Sequence, residues 1–166
     1  PRGYFLAVKQ FKPRKSANRI LREATFQQRA AEYHIAPRVV GINTEEKYIV
    51  MERCDARIMD EYRDRALPES MQYMLCALMA RLDGLNILHN DGNVRNLMIK
   101  QGKPILIDYG MSKKLPRGKS NFNTTLWMFV RTLARYNIDV PIVDACTRAK
   151  NREDFIRTGE QLLSPV

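Results

Sequence analysis

The chain has no apolar run near the roughly 20 residues that cross a bilayer. No basic-then-apolar leader opens it, and it begins at Pro1 without an initiator methionine. A membrane-spanning protein is therefore not expected. Cysteine is scarce: Cys54, Cys76 and Cys146 are far apart, odd in number and form no Cys-x-x-Cys pair. Histidine is scarcer, with only His34 and His89. Common zinc-ligand spacings are thus missing, and three reduced thiols in an intracellular protein are expected. Glycine is nearly absent from the first forty residues, where Gly3 stands alone. Acidic residues are outnumbered, 18 Asp and Glu against 28 Lys and Arg, for a net charge of +10. That balance predicts attraction to polyanions: nucleic acid, acidic protein segments or nucleotide phosphates. A solvated basic face without a specific partner is the other reading.

What is present reads as one ordinary globular chain. Its 166 residues, 45% hydrophobic and 28% charged, suffice for a sizeable core. No repeat or low-complexity tract is visible. Tyr4 to Phe11 reads as a strand ending in a basic turn at Pro13. Ser16 caps a helix to about His34, with Ile20, Leu21, Ala24 and Ala31 as its apolar stripe. Arg38 to Ile42 and Lys47 to Glu52 form a hairpin. Asp55 to Arg65 is read as a short helix. From Ser70, apolar residues at Met71, Met74, Leu75, Leu78, Met79 and Leu82 mark a buried helix stopped by Gly84. Leu97–Lys100 and Lys103–Ile107 flank Gln101-Gly102 as a second hairpin. A helix starts at Thr124 or Thr125, and a last one covers about Arg152 to Leu163.

The chemistry concentrates between His89 and Gly110. Asp91 is followed five residues later by Asn96, then by the hairpin, then by Asp108-Tyr109-Gly110. A phosphoryl-transfer site needs a carboxylate to take a hydroxyl proton and two oxygen ligands for Mg²⁺, and this set supplies them. Upstream stand Ala7-Val8-Lys9 on the first strand, Glu23 on the first helix, and Tyr48-Ile49-Val50-Met51-Glu52-Arg53-Cys54 before the long helix.

In that order, from residue 4 to about 136, these motifs resemble the catalytic core of the protein-kinase-like superfamily. The run Arg22-Glu23-Ala24, Ala30-Ala31 and Ala36-Pro37-Arg38-Val39, with the short chain after Gly110, is most similar to compact atypical kinases. Among these are the RIO kinases, the kinase of the tRNA-threonylcarbamoylation complex, and small kinases of large DNA viruses. The resemblance implies a two-lobed α+β fold. A truncated antiparallel-sheet lobe without a glycine-rich loop would span residues 1–54, and a reduced helical lobe 55–166. It implies ATP and Mg²⁺ as cofactors, with Lys9 and Glu23 positioning phosphate; Glu32 is the alternative helix partner. Met51 would back the adenine, and backbone groups of Glu52 and Cys54 would meet its edge. Asp91 would be the base, Arg95 would supply the charge that Asn93 does not, and Asn96 and Asp108 would hold the metal. His89 would pack beneath the loop.

The expected activity is transfer of the ATP γ-phosphoryl group to a Ser or Thr hydroxyl of a protein, the chain itself included. The expected location is intracellular, cytoplasmic or nuclear, or a viral protein in a host cell or virion. No Ala-Pro-Glu motif follows Gly110, so substrate docking by the usual segment is not expected. Ser112, Ser120, Thr124 and Thr125 are read either as autophosphorylation sites or as surface residues and helix caps. Two other readings stand beside this one. One is a pseudokinase that presents a basic face to nucleic acid or an acidic protein. The other is a small-molecule phosphotransferase of the aminoglycoside or choline kinase type.

Overall fold

Period-two burial builds the first sheet. In the computed structural model, which describes residues 5–164, β1 (Leu6–Gln10), β2 (Val39–Asn43) and β3 (Tyr48–Glu52) pair antiparallel in the order β1-β3-β2. Gly3 and Tyr4 lie outside the described residues. Ile49 and Met51 of β3 are buried on one face and pack with Phe11 and with Ile20 and Ala24 of α1 (Ala17–Ala31). Ala7 stands opposite Met51 and Lys9 opposite Ile49. Residues directly opposite in a sheet share a face, so Lys9 projects toward α1.

Ser16 caps α1 as expected, accepting a hydrogen bond from the Arg19 N–H at 3.3 Å. The buried stripe of this helix differs from the apolar one read in the sequence. It consists of Ile20, Glu23, Ala24, Gln27 and Ala30, whereas Leu21 is exposed. Two polar residues join it because each finds a partner: lysines for Glu23, and the Pro37 carbonyl for Gln27 Nε2 at 2.9 Å. The helix stops at Ala31, before His34, which adopts a positive φ of 60°.

The chain then crosses to a helical body. The helix expected over 55–65 is instead a two-residue strand, β4 (Ala56–Arg57), and a one-turn α2 (Ile58–Glu61). β4 is claimed by β6 (Leu97–Lys100), which also pairs with β7 (Lys103–Leu106). Pro68, and not Ser70, occupies the N-cap of α3 (Glu69–Gly84). Gly84 is the last helical residue, and the positive φ falls on Asn86 at 61°. The apolar stripe of α3 is buried as read. Helices on several sides bury Gln72, Cys76 and Ala77 as well.

β5 (Ile87–Leu88) and β8 (Lys113–Lys114) form a short ladder on either side of the His89–Gly110 segment. Beyond it, Phe122–Leu126 is a π-helical turn into α4 (Trp127–Ala134), so neither Thr124 nor Thr125 caps a helix. α5 (Pro141–Arg148) has no counterpart in the sequence reading. Pro141 sits at its first position, where the missing N–H costs nothing. α6 (Glu153–Leu163) closes the body against α3, locked by a two-pronged Arg81–Glu160 ion pair. No helix among the described residues is long and apolar enough to cross a membrane.

Candidate active site

Lys9, Glu23 and Asp108 come from a strand, a helix and a loop, and they meet. The Lys9 ammonium donates to Glu23 Oε1 and, at 3.0 Å, to Asp108 Oδ1. Glu23 is only 1% exposed, and its other oxygen accepts from Lys15 at 2.7 Å. Burial alone would depress the Lys9 pKa, but the two carboxylates outweigh it and raise the value above the usual lysine range. Burial likewise opposes ionisation of Asp108. Lys9 and the Gly110 N–H overcome that and hold its carboxyl below the ordinary range. Glu32, the alternative helix partner, is the exposed C-cap of α1 and takes no part.

Asp108 adopts a left-handed φ of 61°. Asp tolerates that region because its carboxylate can bond the backbone ahead, here the Gly110 N–H at 3.2 Å. A Cβ on Gly110 would stand 3.0 Å from Glu23 Oε2 and 3.2 Å from Asp108 Oδ1. The bare glycine keeps the space between the two carboxylates open.

His89 ties the Asp91 loop to this strand end. Its Nε2 bonds the Ile107 carbonyl at 3.0 Å, and its Nδ1 accepts the Asp91 N–H at 3.3 Å. Both ring nitrogens are thus satisfied only when the imidazole is neutral. The ring meets Tyr109 edge-on with centroids 4.9 Å apart. Burial lowers the His89 pKa below 6.5, against weaker opposing pulls from Ile107 and Asp91. The sign follows. As pH falls below about 6.5, the unfolded chain takes up a proton that folded His89 refuses, and stability declines toward the folded value. His89→Gln is expected to flatten the fall in Tm between pH 7 and pH 5, as read by thermal denaturation across that range.

Asp91 borders two clefts. One, of about 490 Å³, is lined also by Lys9, Lys15, Arg19, Asp108 and Met111. The other, of about 480 Å³, runs past Arg95, Met128, Thr132 and Arg135. Arg95 is exposed and lines this second cleft but not the one that holds Lys9. Gly92 is where the loop passes α4: a Cβ there would fall 2.3 Å from Met128 Cβ. Asn96 is buried, and its carbonyl accepts the Ile107 N–H at 3.0 Å, next to Asp108. Its Nδ2 is buried without a partner, and its side-chain oxygen accepts no hydrogen bond among the described residues.

Met51, Glu52 and Cys54, the residues expected around the adenine, lie apart from this cleft. Met51 is buried in the sheet–α1 core, with its sulfur 3.5 Å from Gln27 Nε2. The Glu52 carboxylate binds Lys100 at 2.6 Å and Arg38 at 3.6 Å. Cys54 borders a separate cavity of about 450 Å³ beside Phe5 and Lys100. Burial pushes its thiol up to about 11. The Cys54 N–H donates to no group among the described residues.

Two of the four hydroxyls read as autophosphorylation sites or surface caps are buried. Ser112 donates to the His89 carbonyl at 3.2 Å, and Thr125 to Asn121 Oδ1 at 3.2 Å. Ser120 donates to Asp83 at 2.6 Å and Thr124 to the Ser120 carbonyl at 2.9 Å. The Ser120 contact ties the segment after Gly110 to α3, and the others tie it to the His89 backbone and to itself. Lys15 and Met128 were not anticipated at the site. Lys15 is one of several basic residues in its stretch, and nothing local distinguishes it.

No family model matches the chain. It is similar to a probable bifunctional tRNA threonylcarbamoyladenosine biosynthesis protein of Methanobrevibacter smithii, 25% identical over 68% of this chain and 20% of that protein. It is also similar to the KEOPS complex subunit Bud32 of Pyrococcus abyssi, 29% identical over 57% of this chain and 45% of the relative. A human serine/threonine-protein kinase/endoribonuclease, IRE2, is 31% identical over 46% of this chain and 10% of its own length. The chain thus spans less than half the length of each of these curated relatives. The α+β fold with its small antiparallel sheets is consistent with a compact kinase-like fold, and these similarities support a likeness to the protein-kinase-like superfamily.

Proposed function

We propose that the chain is an ATP- and Mg²⁺-dependent phosphotransferase that acts on a protein hydroxyl. The reading divides it into a sheet lobe over 1–54 and a helical lobe over 55–166, with the nucleotide between them. The observation that carries it is the convergence of Lys9, Glu23 and Asp108 within ion-pair distance, with Asp91 on the wall of the same cleft.

The donors suit a hard cation. Asp108 accepts only on Oδ1, and the Asn96 side chain has a free oxygen and a buried nitrogen that lacks a partner. Mg²⁺, when bound by these two, would neutralise charge on the β- and γ-phosphates. Lys9, held by Glu23, then reaches the phosphate chain. Asp91 accepts the proton of the attacking hydroxyl. Its loop is anchored by His89, so its placement does not depend on the substrate. On this reading Met51 would back the adenine from within the sheet–α1 core, and the Cys54 N–H and Glu52 backbone would meet its edge from the neighbouring cavity, beyond the cleft that holds Lys9 and Asp108. Arg95 lies in the second cleft, where a substrate segment would approach. A protein acceptor is favoured over a small molecule because that cleft runs along α4 beside the exposed Met128.

A thermal-shift titration with Mg²⁺-ATP tests the nucleotide site. Ligand at 100 times its Kd stabilises by about 2.7 kcal/mol. For this length that is roughly 5 to 10 °C in Tm. The shift is expected in the wild type and absent in Asp108→Ala. No shift in the wild type at millimolar ATP would refute the reading. Transfer of the terminal phosphate to the chain itself or to acidic and basic model proteins is the companion assay.

A further inference from the structure

Lys15 repeats, on one oxygen of Glu23, the contact that Lys9 makes on the other. Both ammonium groups also lie over the Phe11 ring, Lys9 at 5.2 Å and Lys15 at 4.4 Å from its centroid. Both line the cleft that holds Asp91 and Asp108. We propose that Lys15 is a second phosphate-binding residue, forming with Lys9 a two-lysine subsite for the phosphate chain of the nucleotide. The inference rests on the nucleotide-dependent function proposed above and adds to it a residue that the motif series does not contain.

A purely structural role accounts poorly for this arrangement. One buried carboxylate needs one counter-charge, and Lys9 supplies it. A second ammonium on the same carboxylate adds like-charge repulsion at the width of one carboxyl group. An anion bound in the cleft relieves that repulsion. Lys15 is equipped to take one. An ammonium has three donors, and the structure commits only one, to Glu23. The Lys15 side chain is 20% exposed and lines the cleft.

The charge around it has the same sense. Lys12, Arg14 and Arg19 line the same cleft and pair with no carboxylate among the described residues. With Lys9 and Lys15 they make five cations, facing the carboxylates of Asp91 and Asp108, with Glu23 behind. The excess is positive and is complemented by the net negative charge of Mg²⁺-ATP. The subsite discriminates by phosphate count and is indifferent to the base.

The test compares ATP, ADP, AMP and adenosine, each with Mg²⁺, by titration calorimetry on wild type, Lys15→Gln and Lys15→Arg. The glutamine variant keeps the Lys9–Glu23 pair, and its unliganded Tm checks that the fold is retained. ATP affinity is expected to fall about tenfold in Lys15→Gln, the scale of one lost charge-assisted contact. Adenosine affinity should stay within about twofold, and Lys15→Arg should restore most of the loss. Equal losses for ATP and adenosine would make Lys15 a structural ion pair and overturn the inference. So would wild-type ATP binding in Lys15→Gln, while the proposed function would stand. If Lys15→Gln does not fold, Lys15→Met takes its place and is read in the same way: a loss confined to the phosphorylated ligands supports the subsite, and an equal loss for adenosine, or none for ATP, overturns it. A wild type that binds none of the four ligands would refute the function, and the subsite with it.

Discussion

Asp91→Asn is expected to lower phosphoryl transfer roughly a thousandfold, the usual scale for loss of a positioned general base, while the Mg²⁺-ATP thermal shift persists. Asn keeps the shape of the side chain and its acceptor oxygen, so the Asn93 N–H that now bonds Asp91 Oδ1 at 3.2 Å keeps a partner. His89 holds the loop through the Asp91 backbone, not its side chain. What is lost is the negative charge and the basic lone pair. The substitution therefore separates chemistry from binding, whereas Asp108→Ala removes both. Single-turnover transfer together with the thermal shift checks this. Transfer within tenfold of wild type would show that Asp91 is not the base. Loss of the ATP shift would mean that it serves binding.

The second large effect is on stability. Gly159→Val is expected to destabilise the fold by about 3 kcal/mol, at the upper end of overpacking penalties. For a chain of this length that lowers Tm by roughly 6 to 12 °C. Away from contacts, replacing a helical glycine removes an unfavourable residue and stabilises. Here the sign reverses. A Cβ on Gly159 would lie 2.0 Å from the Tyr73 carbonyl oxygen and 2.8 Å from Ala77 Cβ. The obstacle is backbone, so no rotamer change relieves it, and α3 and α6 must separate. Because α3 supplies much of the larger core, their separation exposes that core. Denaturant unfolding monitored by circular dichroism measures the change. A variant as stable as wild type would show that the helix pair yields without cost.

Much of the framework was legible in the chain. The period-two runs around Lys9 and Ile49 became β1 and β3, and the stripe from Met71 to Leu82 became the central helix. Ser16 as a cap and Gln101-Gly102 as a hairpin turn are local chemistry, and each element formed where that chemistry lies. Elements whose fate depends on distant partners were not legible. Asp55 to Arg65 carries helical spacing, yet β6 claims its first residues as a strand. α5, which begins at Pro141 and packs against α3, had no counterpart in the sequence reading.

The same division runs through the site. Asp91, Asn96 and Asp108 could be named in advance because a short loop and a hairpin give them their spacing. Glu23 could be named only by resemblance, since hydrophobicity assigns a glutamate to the solvent face. It is buried because two lysines from outside its helix neutralise both of its oxygens. Lys15 and Gly159 were invisible for a related reason. A lysine in a basic stretch and a glycine in a helix look alike wherever they occur. What distinguishes them is a carboxylate at 2.7 Å for one and a carbonyl oxygen too close for any Cβ for the other. The sequence by itself determined the elements that rest on local chemistry, their order and the chemical types available at the cleft. Only the tertiary structure decided which charges share a partner and which backbones touch, because those are distances between residues far apart along the chain.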